Sequence, residues 1–153
     1  MNDDEFLQSR SNFKKIWLSF PFRITFYFPA DGCYNYSTLS EADRKSSYVT
    51  PDQPVCDNLL PVRWYRFEGD AGTKMPTTHV PRYRCNAAFS GWMNGVQPTI
   101  EDGEVIREVC FTQNVGDCKS TNNIKVKNCG SHFIYKLFPV SSCDSRYCGT
   151  DWT

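Results

Sequence analysis

The stretch Asn123-Ile124-Lys125-Val126-Lys127-Asn128-Cys129-Gly130-Ser131-His132-Phe133-Ile134-Tyr135-Lys136-Leu137-Phe138 decides how this chain folds. Its first five residues alternate apolar and basic or polar side chains, the period-two pattern of a half-buried strand. Gly130 then offers a reversal, and His132 to Phe138 resume as an apolar, aromatic run. The pattern predicts two antiparallel strands joined at Gly130.

The same grammar recurs on either side. Arg63-Trp64-Tyr65-Arg66-Phe67 is aromatic-rich and ends at Gly69 and Gly72, which favour a turn. Val105 to Phe111 begins just after Asp102-Gly103. Helix signals are weak: Ser40-Glu41-Ala42-Asp43-Arg44 suits one turn capped by Ser40. Nine prolines and nine glycines break longer helical periods. The expected fold is a β-rich, disulfide-stapled small extracellular domain with short antiparallel strands, long loops and little helix.

Eight cysteines carry the second half of that expectation. They lie between Cys33 and Cys148, with successive spacings of 23, 29, 25, 8, 11, 14 and 5 residues. No Cys-x-x-Cys pair exists, and only two histidines are present, so the set does not read as structural zinc. An even number of thiols in a chain of this size reads as a disulfide framework formed outside the reducing cytosol. Spacing alone leaves about a hundred connectivities open.

A length of 153 residues fits one domain with a real core, and 40% hydrophobic and 15% aromatic residues make it globular. A mean hydropathy of −0.52 leaves that core thin for its length, which covalent staples offset. Seventeen basic residues balance seventeen acidic ones. That balance excludes a broad basic face for nucleic acid and a polybasic tract for anionic lipid. Residues 1–30 differ from the rest: Arg23 splits an apolar run from Ile16 to Phe28, and no small-residue cleavage site follows. This segment is a poor signal or anchor, a strand-like extension, or sequence foreign to the native product. It is set apart from the cysteine-rich domain at 31–150.

The order of landmarks is specific. Trp64-Tyr65-Arg66-Phe67 is followed by Gly69, Gly72, Met75-Pro76, Val80-Pro81, Cys85 and Trp92-Met93-Asn94-Gly95. Cys110, Val126-Lys127 before Cys129, Tyr135, Leu137 and Tyr147-Cys148 complete the series, with Cys33, Tyr36, Leu39 and Arg44 upstream. Over about residues 32–149 this pattern resembles the cysteine-rich module of uromodulin, zymogen-granule glycoprotein 2 and the oncoprotein-induced transcript 3 protein. The module is described as a domain with eight conserved cysteines.

The resemblance implies the pairs Cys33–Cys129, Cys56–Cys143, Cys85–Cys148 and Cys110–Cys118. Uromodulin-like members carry a further bridge, whose two positions here are His79 and Asp117. Both members of that bridge are replaced together, so no orphan thiol remains, and a His79–Asp117 contact is expected in its place. Such members also carry a high-mannose glycan that acts as a decoy for bacterial adhesins. Asn94-Gly95-Val96 lacks the hydroxyl residue and Leu137 stands near another family sequon, so that role is not carried over.

Asn35-Tyr36-Ser37 is the only N-glycosylation sequon, and it makes Asn35 a candidate surface glycan site. Trp64 and Trp92 suit a core around the disulfides better than a sugar-stacking surface. No catalytic, cofactor or metal-ligating motif is found; Gly69 to Lys74 lacks phosphate-loop spacing. The expected function is a non-catalytic extracellular interaction or structural module, presenting loops and one N-glycan to an unidentified extracellular protein or glycan. Membrane association is left open. A carbohydrate-binding module is the first alternative, and a small secreted hydrolase using His79 or His132 the second.

Overall fold

The computed structural model describes residues 13–17, 25–29 and 31–151, the first two segments as backbone strands. It divides into two units, Met1–Asn35 and Tyr36–Thr153. In the first, β1 (Phe13–Trp17) pairs antiparallel with β2 (Thr25–Pro29); the remainder of the split apolar run lies outside the described residues. A single 3-10 turn at Gly32–Tyr34 follows, opened by Asp31, whose carboxylate accepts from Cys33 N at 3.0 Å.

The second unit is one seven-stranded sheet with loops. Its strands are β3 (Ser37–Leu39), β4 (Arg63–Phe67), β5 (Phe89–Asn94), β6 (Glu104–Asn114), β7 (Asp117–Asn128), β8 (Phe133–Leu137) and β9 (Ser145–Tyr147). Their spatial order is β3-β4-β8-β7-β6-β5-β9. The stretch from Asn123 to Phe138 supplies the antiparallel pair β7–β8, with Val126 opposite Tyr135. Ile124 and Val126 are buried while Asn123 is exposed, as period two requires. Gly130 turns the chain at φ 88°.

Two features depart from the expectation of short antiparallel strands. β6 and β7 are 11 and 12 residues long, and they make the longest ladder of the sheet, with register shifts beside Phe111 and Thr112. The outermost pairs, β3–β4 and β5–β9, run parallel. Parallel neighbours need a long connection, and the loops after β3 and before β9 supply it. The turn at Ala42–Arg44 forms, but as 3-10, and its cap is Glu41 with no side-chain hydrogen bond. Ser40 therefore does not cap it, because the turn starts one residue later.

The core lies on one face of the sheet. Tyr65, Phe67, Met93, Phe111, Tyr135 and Tyr147 are all within 4% of full burial. Phe67 meets Tyr135 and Phe111 meets Tyr147 edge-on, at 5.5 and 5.4 Å between ring centres. Each such ring contributes roughly 1.5–3 kcal/mol by leaving water. Tyr135 also ties loops to the core: its hydroxyl accepts from Met75 N and donates to Gln97 Oε1, both at 3.1 Å. Gly149 lets the chain leave β9 directly against the 69–72 turn, where a Cβ would land on the Ala71 carbonyl oxygen.

Candidate functional site

β9 is an edge strand of only three residues, and an open edge would expose unpaired backbone groups. Here two residues act as the missing neighbour. Asp57 N donates to Ser145 O at 3.0 Å, and Asp57 Oδ2 accepts from Tyr147 N at 2.9 Å. Arg44 Nη1 donates to Tyr147 O at 3.0 Å. Arg44 holds Asp57 through two parallel bonds, Nη1 to Oδ2 at 2.8 Å and Nη2 to Oδ1 at 3.0 Å. Both residues are buried. Burial alone would lower the Arg44 pKa, but the hydrogen bonds and charge of Asp57 outweigh it and the guanidinium is held above its ordinary value.

The pair borders a groove of about 650 Å³ lined by Glu41, Asp43, Val55, Cys56 and Arg146 as well. Arg146, 5% exposed, sits 3.0 Å from Asp43 Oδ1 and donates to Cys85 O at 3.2 Å. Its burial, followed by the nearby Arg44 charge, pushes its pKa down. Asn86 Nδ2 donates to Asp43 Oδ2 at 2.6 Å. Those partners and Arg146 outweigh the desolvation of Asp43 and hold its carboxyl below the ordinary range. Three carboxylates, Glu41, Asp43 and Asp57, interleave with two guanidiniums, Arg44 and Arg146, and no His, Cys, Asp and Glu cluster suited to a metal occurs among the described residues.

Two disulfides adjoin this set of charges, through Cys56 and Cys85. Cys56 is bonded to Cys143, Cys85 to Cys148 and Cys110 to Cys118. Cys33 and Cys129 are also disulfide-bonded, and no described cysteine is free. Cys85–Cys148 is wholly buried with Val80, Ala87 and the flank of Trp92, a second small core beside the sheet. Cys110–Cys118 closes the β6–β7 hairpin across its register shift.

The sequence neighbours of the two positions of the absent fifth bridge, Val80 and Cys118, both meet Thr112. Thr112 Oγ1 donates to Val80 O at 2.7 Å, and Thr112 faces Cys118 in the β6–β7 ladder. The expected His79–Asp117 contact is nevertheless not made: no hydrogen bond or ion pair joins them among the described residues. The His79 ring packs against Trp92, 6.0 Å between centres, and its Nε2 is buried without a partner. Asp117 is exposed. A carboxylate in water gains more from solvation than from a buried ring it must be desolvated to reach.

His132 lies 2.9 Å from Ser131 Oγ through Nδ1, but its Nε2 is buried and unpartnered, so no carboxylate orients the ring. Burial, then the Arg66 charge, lowers its pKa. Trp92 is half-buried and donates to Thr112 Oγ1 at 2.9 Å; Trp64 is half-buried on the face of β4 opposite Tyr65. Asn35 is exposed. Leu137 is fully buried, so no glycan stands there.

The roles of Arg44, Asp57 and Arg146 are not apparent from the sequence. Arg44 alone reaches partners 13 and 103 residues away. Arginine near aspartate is too common in loops to mark such a pair.

Residues 65–149 match the family of uromodulin-like domains, the type named for its eight cysteines. The chain is 40% identical over 119 residues to the pancreatic secretory granule membrane major glycoprotein GP2 of Canis lupus familiaris, and 38% identical over 122 residues to that of Rattus norvegicus. It is 38% identical over 119 residues to uromodulin of Mus musculus. Each match covers 77% of this chain but only 23% of the GP2 proteins and 18% of uromodulin. The chain thus spans about a fifth of the length of these curated relatives. Among the described residues no helix is long and apolar enough to cross a membrane. With its cysteines oxidised, its β-rich sheet and the matched span, the chain belongs to the uromodulin-like family of extracellular cysteine-rich domains.

Proposed function

We propose that this domain presents its loop layer, and an N-glycan at Asn35, to an extracellular partner. At the level of the family it is a non-catalytic extracellular module. The observation that carries the finer reading is the division of labour in the second unit: a sheet with an apolar core supports loops pinned by disulfides and a buried ion pair. Loops on a rigid scaffold are where binding residues concentrate. Among the described residues neither histidine has the carboxylate partner that general-base work requires. Asn35 supports the glycan part by its exposure at the head of the sequon.

The test is secretion of the chain from a glycosylating host. Glycosidase treatment is expected to reduce the mass of the peptide containing Asn35, and Ser37→Ala to abolish that shift without changing the melting temperature. Secreted protein with unmodified Asn35 removes the glycan from the proposal. Failure to bind any protein on an array of secreted and cell-surface proteins removes the presentation role.

A further inference from the structure

We infer that the ribbon made by residues 48–50 and 83–86 is a docking surface for an extended acidic segment of a partner protein. The inference deepens the interaction-module reading and rests on it. Val49 lies opposite Arg84 in an isolated antiparallel bridge. The bonds that close it, Thr50 N to Tyr83 O and Cys85 N to Tyr48 O, are both 3.0 Å and belong to the neighbours of Val49. The amide and carbonyl of Val49 therefore turn outward, with no backbone partner among the described residues. An outward-turned edge of this kind is where an extended peptide adds main-chain hydrogen bonds.

The side chains of the ribbon are apolar and unusually exposed. Val49 is 66% exposed, Tyr83 51%, Val55 41% and Tyr48 38%. Val55 is fixed to the same ribbon by its amide, which donates to Asn86 O at 2.8 Å. The backbone that displays them is strained: Tyr83, Cys85 and Asn86 have φ of 58°, 46° and 57° without being glycine. Such conformations are unfavourable for residues other than glycine and persist where the surroundings enforce them, commonly at binding sites. Here the enforcement comes from the Cys85–Cys148 bond and from Ser90 Oγ, which accepts from Arg84 N and donates to Arg84 O, both at 3.1 Å.

Charge selects the occupant. The Arg82 guanidinium is sandwiched between Tyr83 and Phe89, 4.8 and 4.5 Å from the ring centres, and has no ion-pair partner among the described residues. Nor has Arg84. Of the nearby carboxylates, Asp43 on Asn86 is already paired with Arg146 and Glu41 beside Val55 with Arg44, which leaves Asp52 in the loop leading to Val55 against these two cations. Tyrosine and arginine held rigidly are the residues that dominate protein interfaces. Exposed valines favour a peptide with aliphatic side chains over a glycan, and the two cations require that peptide to be acidic.

The experiment probes the full disulfide-bonded chain with a peptide array. One set of extended nonapeptides alternates Asp or Glu with Val or Ile; a second set carries Lys or Arg in place of the acids. The acidic set is expected to bind and the basic set not, with binding weakened by salt. Arg84→Glu and Val49→Asp are each expected to weaken binding about tenfold or more, with melting temperatures unchanged. Equal binding of both sets, binding indifferent to the two variants, or binding of heparin alone at this face overturns the inference. So does a dimer in sedimentation that Val49→Asp dissolves, because the occupant is then a second copy. The same variants on the protein array separate this inference from the reading beneath it. Partners retained by Arg84→Glu sink the ribbon but keep the module, whereas an absence of any partner sinks both.

Discussion

Between β4 and β6 the sheet buries tyrosine and phenylalanine rings against one another, whereas where the loops meet β9 the buried residues are Arg44 and Asp57 of the loops and Arg146 of the strand. The first region is held by apolar burial, which is non-directional and tolerates small shifts. The second is held by disulfides and by hydrogen bonds between charges, which fail when one partner is lost. A domain with a thin core thus devotes its apolar residues to the sheet and fixes its loops by covalent and ionic means.

The contrast is broken most severely by Asp57→Ala. It removes the Arg44 pair and the bond to Tyr147 N, and it leaves a buried guanidinium unpaired. The expected loss is about 3–5 kcal/mol in chemical denaturation, well above that of the double variant Arg44→Met with Asp57→Leu. If the single and double variants are equally unstable, the ion pair is not what holds the edge. Next comes removal of one bridge by Cys85→Ala with Cys148→Ala, expected to cost roughly 2–5 kcal/mol. Hydrogen exchange should then show faster opening of residues 44–57 and 83–87 than of β6 to β8; uniform acceleration would erase the distinction between the regions.

A smaller effect is expected from Gly149→Ala, about 1–3 kcal/mol, because the added methyl group meets the Ala71 carbonyl. No change in melting temperature would mean that the 69–72 turn is free to move away. The smallest concerns pH. The folded-state pKa of His132 lies below the ordinary 6.5, so the unfolded chain takes up its proton first as pH falls. The stability contributed by the neutral ring is complete above about pH 6.5 and is lost as pH falls from there through the folded pKa. His132→Gln should flatten that slope in a pH series of thermal melts, and an unchanged slope would assign it elsewhere.

The sheet is largely readable because its signals are local. β4 spans Arg63–Phe67, the same five residues that stand out as an aromatic run, and the β7–β8 pair follows alternation in a single stretch. The parallel edges are not readable, since β3–β4 and β5–β9 join residues 28 and 56 positions apart at their first pairs, Ser37–Tyr65 and Phe89–Ser145. The loop layer is hidden for a stronger reason. Arg44 stands out only as a landmark of the family pattern and Arg146 not at all, and what buries them is a set of contacts that exist only once the sheet has formed. His79 shows the converse error: a position inherited from a bridge suggests a partner, but the ring finds Trp92 instead.

The span between Arg44 and Tyr147 sets a timetable for maturation. Their bond joins residues 103 apart, so it cannot form until nearly the whole domain has left the ribosome. Until then Arg44 and Asp57 have each other but no strand to guard. Closure of the last edge and oxidation of Cys148 become available at the same moment, because Tyr147 and Cys148 are neighbours in sequence. A nascent chain stalled before Tyr147 therefore carries β5 without its outer neighbour and Cys85 without Cys148, and would present both to the folding machinery of the secretory pathway.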